Sequence, residues 1–232
     1  MNMTNGKKAR VKQMFSELAP DYDCLNRIIS FNFDRRWRRR AVQSLFHCKV
    51  VLDLCAGTGD MALALLGNSK FQGQIVLSDF AFPMLLLARQ KLKAFSGRIF
   101  IVCADAEKLP FKPGIFDGAA LGFSLRNLEN LSIFAREVYR VLQTGGAGSF
   151  LEIAHPSKGW WGKLFYAYFY QLMPRIAGVF TRHRQAYRYL PESLKIFPPQ
   201  GEVSALFGCE GFADSRYQNI WGGLAAIYNV KK

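Results

Sequence analysis

The stretch Asp53-Leu54-Cys55-Ala56-Gly57-Thr58-Gly59-Asp60 constrains this chain more than any other. It continues an apolar run that begins at Val50 and reads as a buried strand through Cys55. It leads into a helical pattern from about Asp60. Between the two, Gly57 and Gly59 allow a turn in which no Cβ separates the main chain from a ligand. Another acidic residue, Asp79, ends the next apolar run, where a carboxylate can accept both hydroxyls of a ribose. Strand, glycine turn, helix and strand-end carboxylate describe a nucleoside-binding βαβ unit.

The loop alone does not separate a nicotinamide dinucleotide from adenosylmethionine. Two details favour the latter. Ala62 stands where a dinucleotide loop has its third glycine. Asp60 puts a negative charge at the helix start, where a pyrophosphate needs a positive end. A sulfonium cofactor has no phosphate and tolerates Asp53 and Asp60 near its ammonium end.

The alternation continues downstream. Residues 50–55, 74–78, 98–103, 115–123 and 147–153 read as strands, and 82–95 and 131–142 as helices. Continuous apolar strands alternating with helices predict an α/β fold with a parallel sheet covered on both faces. Ligands of such sheets bind beyond the carboxyl ends of the strands. Asp105, after the third strand, can take an adenine amino group; helix capping is its alternative role. Residues 203–230 read as a helix and two more strands. No repeat, low-complexity tract or linker divides the chain, so one domain is expected over 1–232. Within it we expect a helical cover (1–49), a cofactor-binding core (50–156), a substrate- or membrane-facing segment (157–200) and a last helix with strands (201–232).

Charge speaks about partners. The chain has 31 Lys and Arg against 17 Asp and Glu, a net charge of +14. Residues 7–49 alone carry 11 basic against 4 acidic side chains, with Arg35, Arg36, Arg38, Arg39 and Arg40 clustered. Such an excess points to an anionic partner: nucleic acid, phosphates or a membrane surface. The N-terminal residues lack the apolar core of a signal peptide, and no apolar run is long enough to span a bilayer. The cysteines are odd in number, scattered and without a CxxC pair, so neither a zinc site nor a disulfide framework is expected. These features predict a cytoplasmic protein.

Taken with further motifs, the chain resembles a class I adenosylmethionine-dependent methyltransferase. More closely, it resembles the ubiquinone/menaquinone biosynthesis C-methyltransferase family, the demethylmenaquinone methyltransferases. The resemblance runs from Phe15, Tyr22-Asp23, Asn26, Ser30 and Trp37-Arg38 through the glycine loop to Asp79, Met84-Leu85, Asp105-Ala106-Glu107 and Leu109-Pro110-Phe111. It continues through Phe116-Asp117, Leu125-Arg126-Asn127, Glu137, Arg140 and Gly145-Gly146. It ends with Pro174-Arg175, Tyr187-Arg188-Tyr189-Leu190, Ser193, Phe197-Pro198, Gln200 and Gly211-Phe212. The glycine loop marks the superfamily only. The Leu-Arg-Asn step and the Tyr-x-Tyr-Leu block are specific to the family.

The resemblance implies a Rossmann-like, seven-stranded, mostly parallel sheet with a final antiparallel strand. It also implies a helical insertion after strand five. Thr58, Asp79, Asp105 and Ala106 match positions that bind S-adenosyl-L-methionine, and Gly122 stands where the family usually has Ser, leaving backbone contacts. With Asp53, Gly57 and Gly59 they form the expected cofactor set. No metal is implied, and no role is carried onto His155.

The implied reaction moves a methyl group from sulfur to a ring carbon of a prenylated quinol: demethylmenaquinol, or the benzoquinol precursor of ubiquinone. A ring carbon attacks poorly until the adjacent hydroxyl loses its proton, so a base or a phenolate-stabilising group is required. Arg126 and Asn127 are the expected catalytic residues, and Tyr187 and Tyr189 are expected in the quinone pocket. The basic, aromatic segment 158–188 suits peripheral contact with anionic headgroups, with a buried helical cover as its alternative. A second copy of the chain or another enzyme of the pathway is a further expected partner, and nucleic acid is not. An RNA or other small-molecule methyltransferase and a non-enzymatic binding module remain the competing classes.

Overall fold

A computed structural model describes residues 4–156, 159–172 and 184–232. Three helices precede the sheet: α1 (Thr4–Leu18), α2 (Tyr22–Ile29) and α3 (Asp34–Ala41). The strands are β1 (Val50–Leu54), β2 (Gln74–Asp79), β3 (Ile99–Cys103), β4 (Phe116–Gly122), β5 (Leu142–Ile153), β6 (Asp214–Ile220) and β7 (Ala225–Lys231). Helices α4 (Asp60–Leu66), α5 (Phe82–Lys91) and α6 (Leu131–Val141) connect the first five strands. Helices α7 (Trp160–Ala167), α8 (Arg184–Ile196) and α9 (Gln200–Cys209) lie between β5 and β6. The strands form one sheet in the order β3-β2-β1-β4-β5-β7-β6. All neighbours are parallel except β7, which runs antiparallel to both β5 and β6. The expected seven-stranded α/β fold is therefore present.

The unbroken apolar character of β1 follows from burial on both faces. Leu52 and Leu54 join one core with Phe134, Phe150 and Phe207. Val51 joins the other with Leu65, Ile75 and Leu85. Each fully buried Leu or Phe contributes about 1.5–3 kcal/mol of transfer free energy, so these two layers dominate the packing. Helix α6 starts on Asn130, whose Oδ1 accepts the Ile133 N–H at 3.0 Å, and buries Phe134, Ala135 and Val138 against the sheet. Asp117 anchors the start of β1: its two oxygens accept the Lys49 and Val50 N–H groups at 2.6 and 2.8 Å.

Two boundaries differ from expectation. Helix α5 ends at Lys91 rather than near residue 95, because Leu92 leaves helical geometry (φ −96, ψ 16) and a tighter 3-10 segment, Lys93–Arg98, follows. Strand β5 starts at Leu142 rather than 147. Leu142 pairs with Phe116, and a register shift then absorbs the Gly145-Gly146 irregularity. Among the described residues no helix is long and apolar enough to cross a membrane.

Candidate active site

The carboxyl ends of β1, β2 and β4 converge on one edge of the sheet, and the backbone is strained there. Cys55 (φ 48), Gly57 (φ 54) and Gly59 (φ 81) turn the chain out of β1, and Phe123 (φ 63) turns it out of β4. Gly59 is also a packing requirement, because a Cβ there would stand 2.9 Å from Leu92 Cδ1. Strained non-glycine residues at strand ends mark places where the fold fixes geometry for a ligand.

A small cavity of about 50 Å³ opens there, lined by Gly57, Asp79, Asp105, Ala106, Asn127 and Met84 among others. Asp79 Oδ2 accepts the Gly57 N–H at 2.9 Å, and Oδ1 accepts the Ala81 N–H at 2.8 Å. Burial pushes the Asp79 carboxyl above the usual carboxylate range, against the pull of these backbone donors. Asp105 Oδ1 accepts the Glu107 N–H at 2.9 Å, and Oδ2 pairs with Lys8 Nζ of α1 at 2.5 Å. Lys8 is thereby part of the cavity's lining.

Four residues of the expected cofactor set stand behind this wall rather than on it. Asp53 is fully buried, and its Oδ2 accepts the Ala62 N–H at 3.0 Å while Oδ1 has no partner. Burial pushes its carboxyl up to about 7; the Ala62 bond and Arg38 pull the other way. Thr58 donates to Asp23 Oδ1 at 2.6 Å and accepts from Lys91 Nζ at 2.9 Å. Lys91 also pairs with Asp23 and Asp60 at 2.5 and 2.7 Å. This network ties α2 to the glycine loop. Gly59 caps α4. Gly122 makes room for Arg38, because a Cβ there would stand 2.6 Å from Nη1.

A second cavity, of about 700 Å³, lies beside the first. Its walls are largely apolar and aromatic and come from the segments flanking the core: Leu25, Ile29 and Trp37 from the N-terminal helices, Phe165 and Tyr168 from the segment after β5. Arg126, Asn127 and Tyr189 line it as well. Phe15, Tyr22 and Asn127 line both cavities, so the two meet at these three side chains.

Asn127 is half-buried at this junction, and neither of the buried polar atoms of its side-chain amide has a partner. Arg126 is committed elsewhere: its Nη1 pairs with the fully buried Glu152 and donates to the Phe123 carbonyl at 2.8 Å. The Tyr189 hydroxyl has no partner, and burial pushes its phenol above its ordinary value. Tyr187 belongs to α8, but its side chain lies outside the described residues, as do residue 158 and residues 173–183 of the basic aromatic segment. His155 is structural, its Nε2 meeting the Phe197 carbonyl at 2.8 Å.

Sequence reasoning listed Tyr22, Phe15 and Trp37 only as parts of a pattern and missed them as cavity walls. They lie on three different helices, so no local spacing signals that they meet. Burial pushes the Tyr22 phenol up, while Arg38 and a bond with Asn26 oppose it.

The residues at the small cavity fit adenosylmethionine: a strand-end carboxylate of the kind that takes a ribose, a glycine turn, a second carboxylate at Asp105 and an unpaired amide on Asn127. Comparison with known proteins agrees. The model of the ubiE/COQ5 methyltransferase family matches residues 3–232. The demethylmenaquinone methyltransferase of Thermus thermophilus is 42% identical, over 93% of this chain and 98% of that protein. The ubiquinone/menaquinone biosynthesis C-methyltransferase UbiE of Geobacter sulfurreducens is 38% identical, over 97% of this chain and 90% of that protein. In fold, the chain is similar to a SAM-dependent methyltransferase from Aquifex aeolicus, with a TM-score of 0.63 at 15% identity, covering 90% of this chain and 97% of that one.

Proposed function

Because the chain belongs to the ubiE/COQ5 methyltransferase family, we propose that it transfers a methyl group from S-adenosyl-L-methionine to the ring of demethylmenaquinol, giving menaquinol and S-adenosyl-L-homocysteine. The benzoquinol of ubiquinone biosynthesis is the alternative acceptor. The observation that carries this reading is the junction of a nucleoside-sized recognition set with a large apolar cavity at Phe15, Tyr22 and Asn127. A flat ring with an isoprenoid tail matches the size and character of that cavity.

When bound, adenosylmethionine supplies an electrophilic methyl group. Gly57, Asp79, Asp105 and Ala106 hold it, on a loop shaped by Asp53, Thr58, Gly59 and Gly122. Lys8 gives way from Asp105 as the cofactor enters. Asn127 orients the ring across the junction, since its amide has both a donor and an acceptor to offer. Arg126, locked by Glu152, presents a fixed cation in the wall where the phenolate charge grows. Tyr189 borders the ring.

The rim of the large cavity supports peripheral contact with an anionic membrane. Phe31, which lines the cavity, is 66% exposed on a turn where both it and Asn32 have positive φ, and Trp160, one helical turn before the lining residue Leu164, is 75% exposed. Arg35, Arg36, Arg39 and Arg40 face solvent on α3 beside this rim. Aromatic side chains flanked by cations suit a headgroup layer. Co-sedimentation with phosphatidylglycerol vesicles is expected at low salt; its absence there counts against the contact.

The deciding experiment offers labelled adenosylmethionine with reduced short-tail demethylmenaquinone, the benzoquinol precursor or tRNA. Label in a quinol is expected. Label in tRNA alone rejects the reading and turns the positive charge into a nucleic-acid footprint.

A further inference from the structure

The apolar cavity contains one carboxylate among the described residues that line it, Asp34 at the start of α3. Its burial is nearly complete, at 3% exposure. An ionised group in such a wall is costly unless it is held and used. The Ser30 hydroxyl donates to its Oδ1 at 2.8 Å and fixes the plane of the carboxylate. Oδ2 accepts no hydrogen bond among the described residues and forms an ion pair with Arg38, one helical turn on, whose Nε stands 3.5 Å away. Arg38 is held in turn by Asp60, 3.8 Å from Nη2, and by the face of Phe123, 4.8 Å from its guanidinium carbon. Arg126, Tyr22, Tyr168 and Tyr189 are the other ionisable groups placed on this wall.

We propose that Asp34 is the general base of the reaction, accepting at Oδ2 the hydroxyl proton of the ring; this rests on the quinol reading above. The proton moves from ring oxygen to carboxylate, and the oxygen keeps the bonding electrons. The ring carbon bonds the incoming methyl with its own electron pair, and the electrons of the broken bond stay on the departing sulfur. That carbon then loses its hydrogen to water as a proton, and Asp34 returns its proton to the ring oxygen. One proton is released overall. An ordinary carboxylate is far less basic than a phenolate, so the transfer is coupled to attack rather than complete before it. The charges also rearrange usefully. Once Asp34 is neutral, Arg38 is freed to face the growing phenolate from the same wall.

The test uses Asp34→Asn in the full chain. The expected result is a kcat about 100-fold lower and loss of the acidic limb of the kcat–pH profile. S-adenosylhomocysteine binding by calorimetry should be unchanged. Asp34→Ala should regain part of its turnover with added formate. A further readout needs no turnover: 2-hydroxy-1,4-naphthoquinone, whose ionisation is visible, should bind wild type with its apparent pKa raised relative to the Asp34→Asn complex. An unchanged acidic limb, no formate rescue, or identical dye titrations would overturn the assignment. If Asp34→Asn is unstable, the formate and dye arms still decide on Asp34→Glu and Asp34→Ala. A wild-type protein that neither binds the dye nor methylates a quinol would instead reject the substrate reading itself.

Discussion

The two cavities meet at three side chains and are built on opposite principles. The small one is made of main-chain turns and strand-end carboxylates: Asp79 ends β2, and Gly57 and Asp105 lie just beyond β1 and β3. The large one is made of side chains on helices from the two ends of the core, Leu25 and Trp37 on one side and Phe165 and Tyr189 on the other. A cofactor that is the same across many reactions can be held by a rigid sheet edge. A substrate that differs must be held by what is laid over that edge. The Lys91 network stitches the layers together, since Asp23 lies on α2 and Thr58 in the glycine loop.

The comparison can be broken most forcefully at Asp79. Its carboxylate has lone pairs to spare beyond the Gly57 and Ala81 N–H groups. Losing two charge-assisted bonds to a ribose costs on the order of 100-fold in affinity. We expect Asp79→Ala to weaken S-adenosylhomocysteine binding by that factor in calorimetry while leaving binding of a naphthoquinone analogue intact. Equal loss of both ligands would mean that the two cavities are not separable.

Asn127 belongs to both cavities and sharpens the comparison differently. Its buried amide has no partner to lose. Asn127→Leu should therefore keep or raise the melting temperature, while kcat falls by a factor of tens for want of the orienting bonds. A stability loss without a kcat loss would assign Asn127 to packing. On the apolar side, Ile29→Trp fills the large cavity. It should raise the KM for quinol about tenfold and leave S-adenosylhomocysteine affinity unchanged, because the change removes space and no polar contact.

This division also explains what was legible in the sequence. The sheet and the glycine loop follow from short local patterns: apolar runs with glycines at fixed offsets and an acid at each strand end. Motif residues such as Asp117, Glu137, Arg140 and Gln200 were equally visible, yet they serve the frame. Glu137 accepts the Leu109 N–H, Arg140 donates to the Leu109 and Phe111 carbonyls, and Gln200 donates to the His155 carbonyl. Spacing cannot distinguish such a bond from a ligand contact. The large cavity was less legible because Phe15, Trp37, Phe165 and Tyr189 meet only through tertiary packing. The basic cluster on α3 read as one feature, but burial divides it. Arg38 turns inward to Asp34 and Asp60, and its neighbours face solvent.

The finest contrast between the cavities lies in their response to pH. Asp53 sits behind the cofactor wall with its carboxyl pushed up by burial to about 7. An unfolded aspartate titrates near 3.9, so between about pH 4 and 7 the folded state holds more of this proton than the unfolded one. Stability contributed at this residue is therefore largest in acid, falls as pH rises through that window, and levels off above about 7. Asp53→Asn keeps an acceptor for the Ala62 N–H and removes the titration. The variant's melting temperature relative to wild type should rise by a few degrees between pH 5 and 8. An ammonium-bearing ligand in the cavity before it would favour the ionised carboxylate through the wall, by its field rather than by contact. Wild-type affinity for S-adenosylhomocysteine should then tighten as pH rises through 7, whereas affinity for a naphthoquinone analogue without an ionisable group should not track this residue. Parallel pH profiles for wild type and Asp53→Asn, in stability and in cofactor binding alike, would show that the carboxylate does not titrate in this range and that only its hydrogen bond to α4 matters.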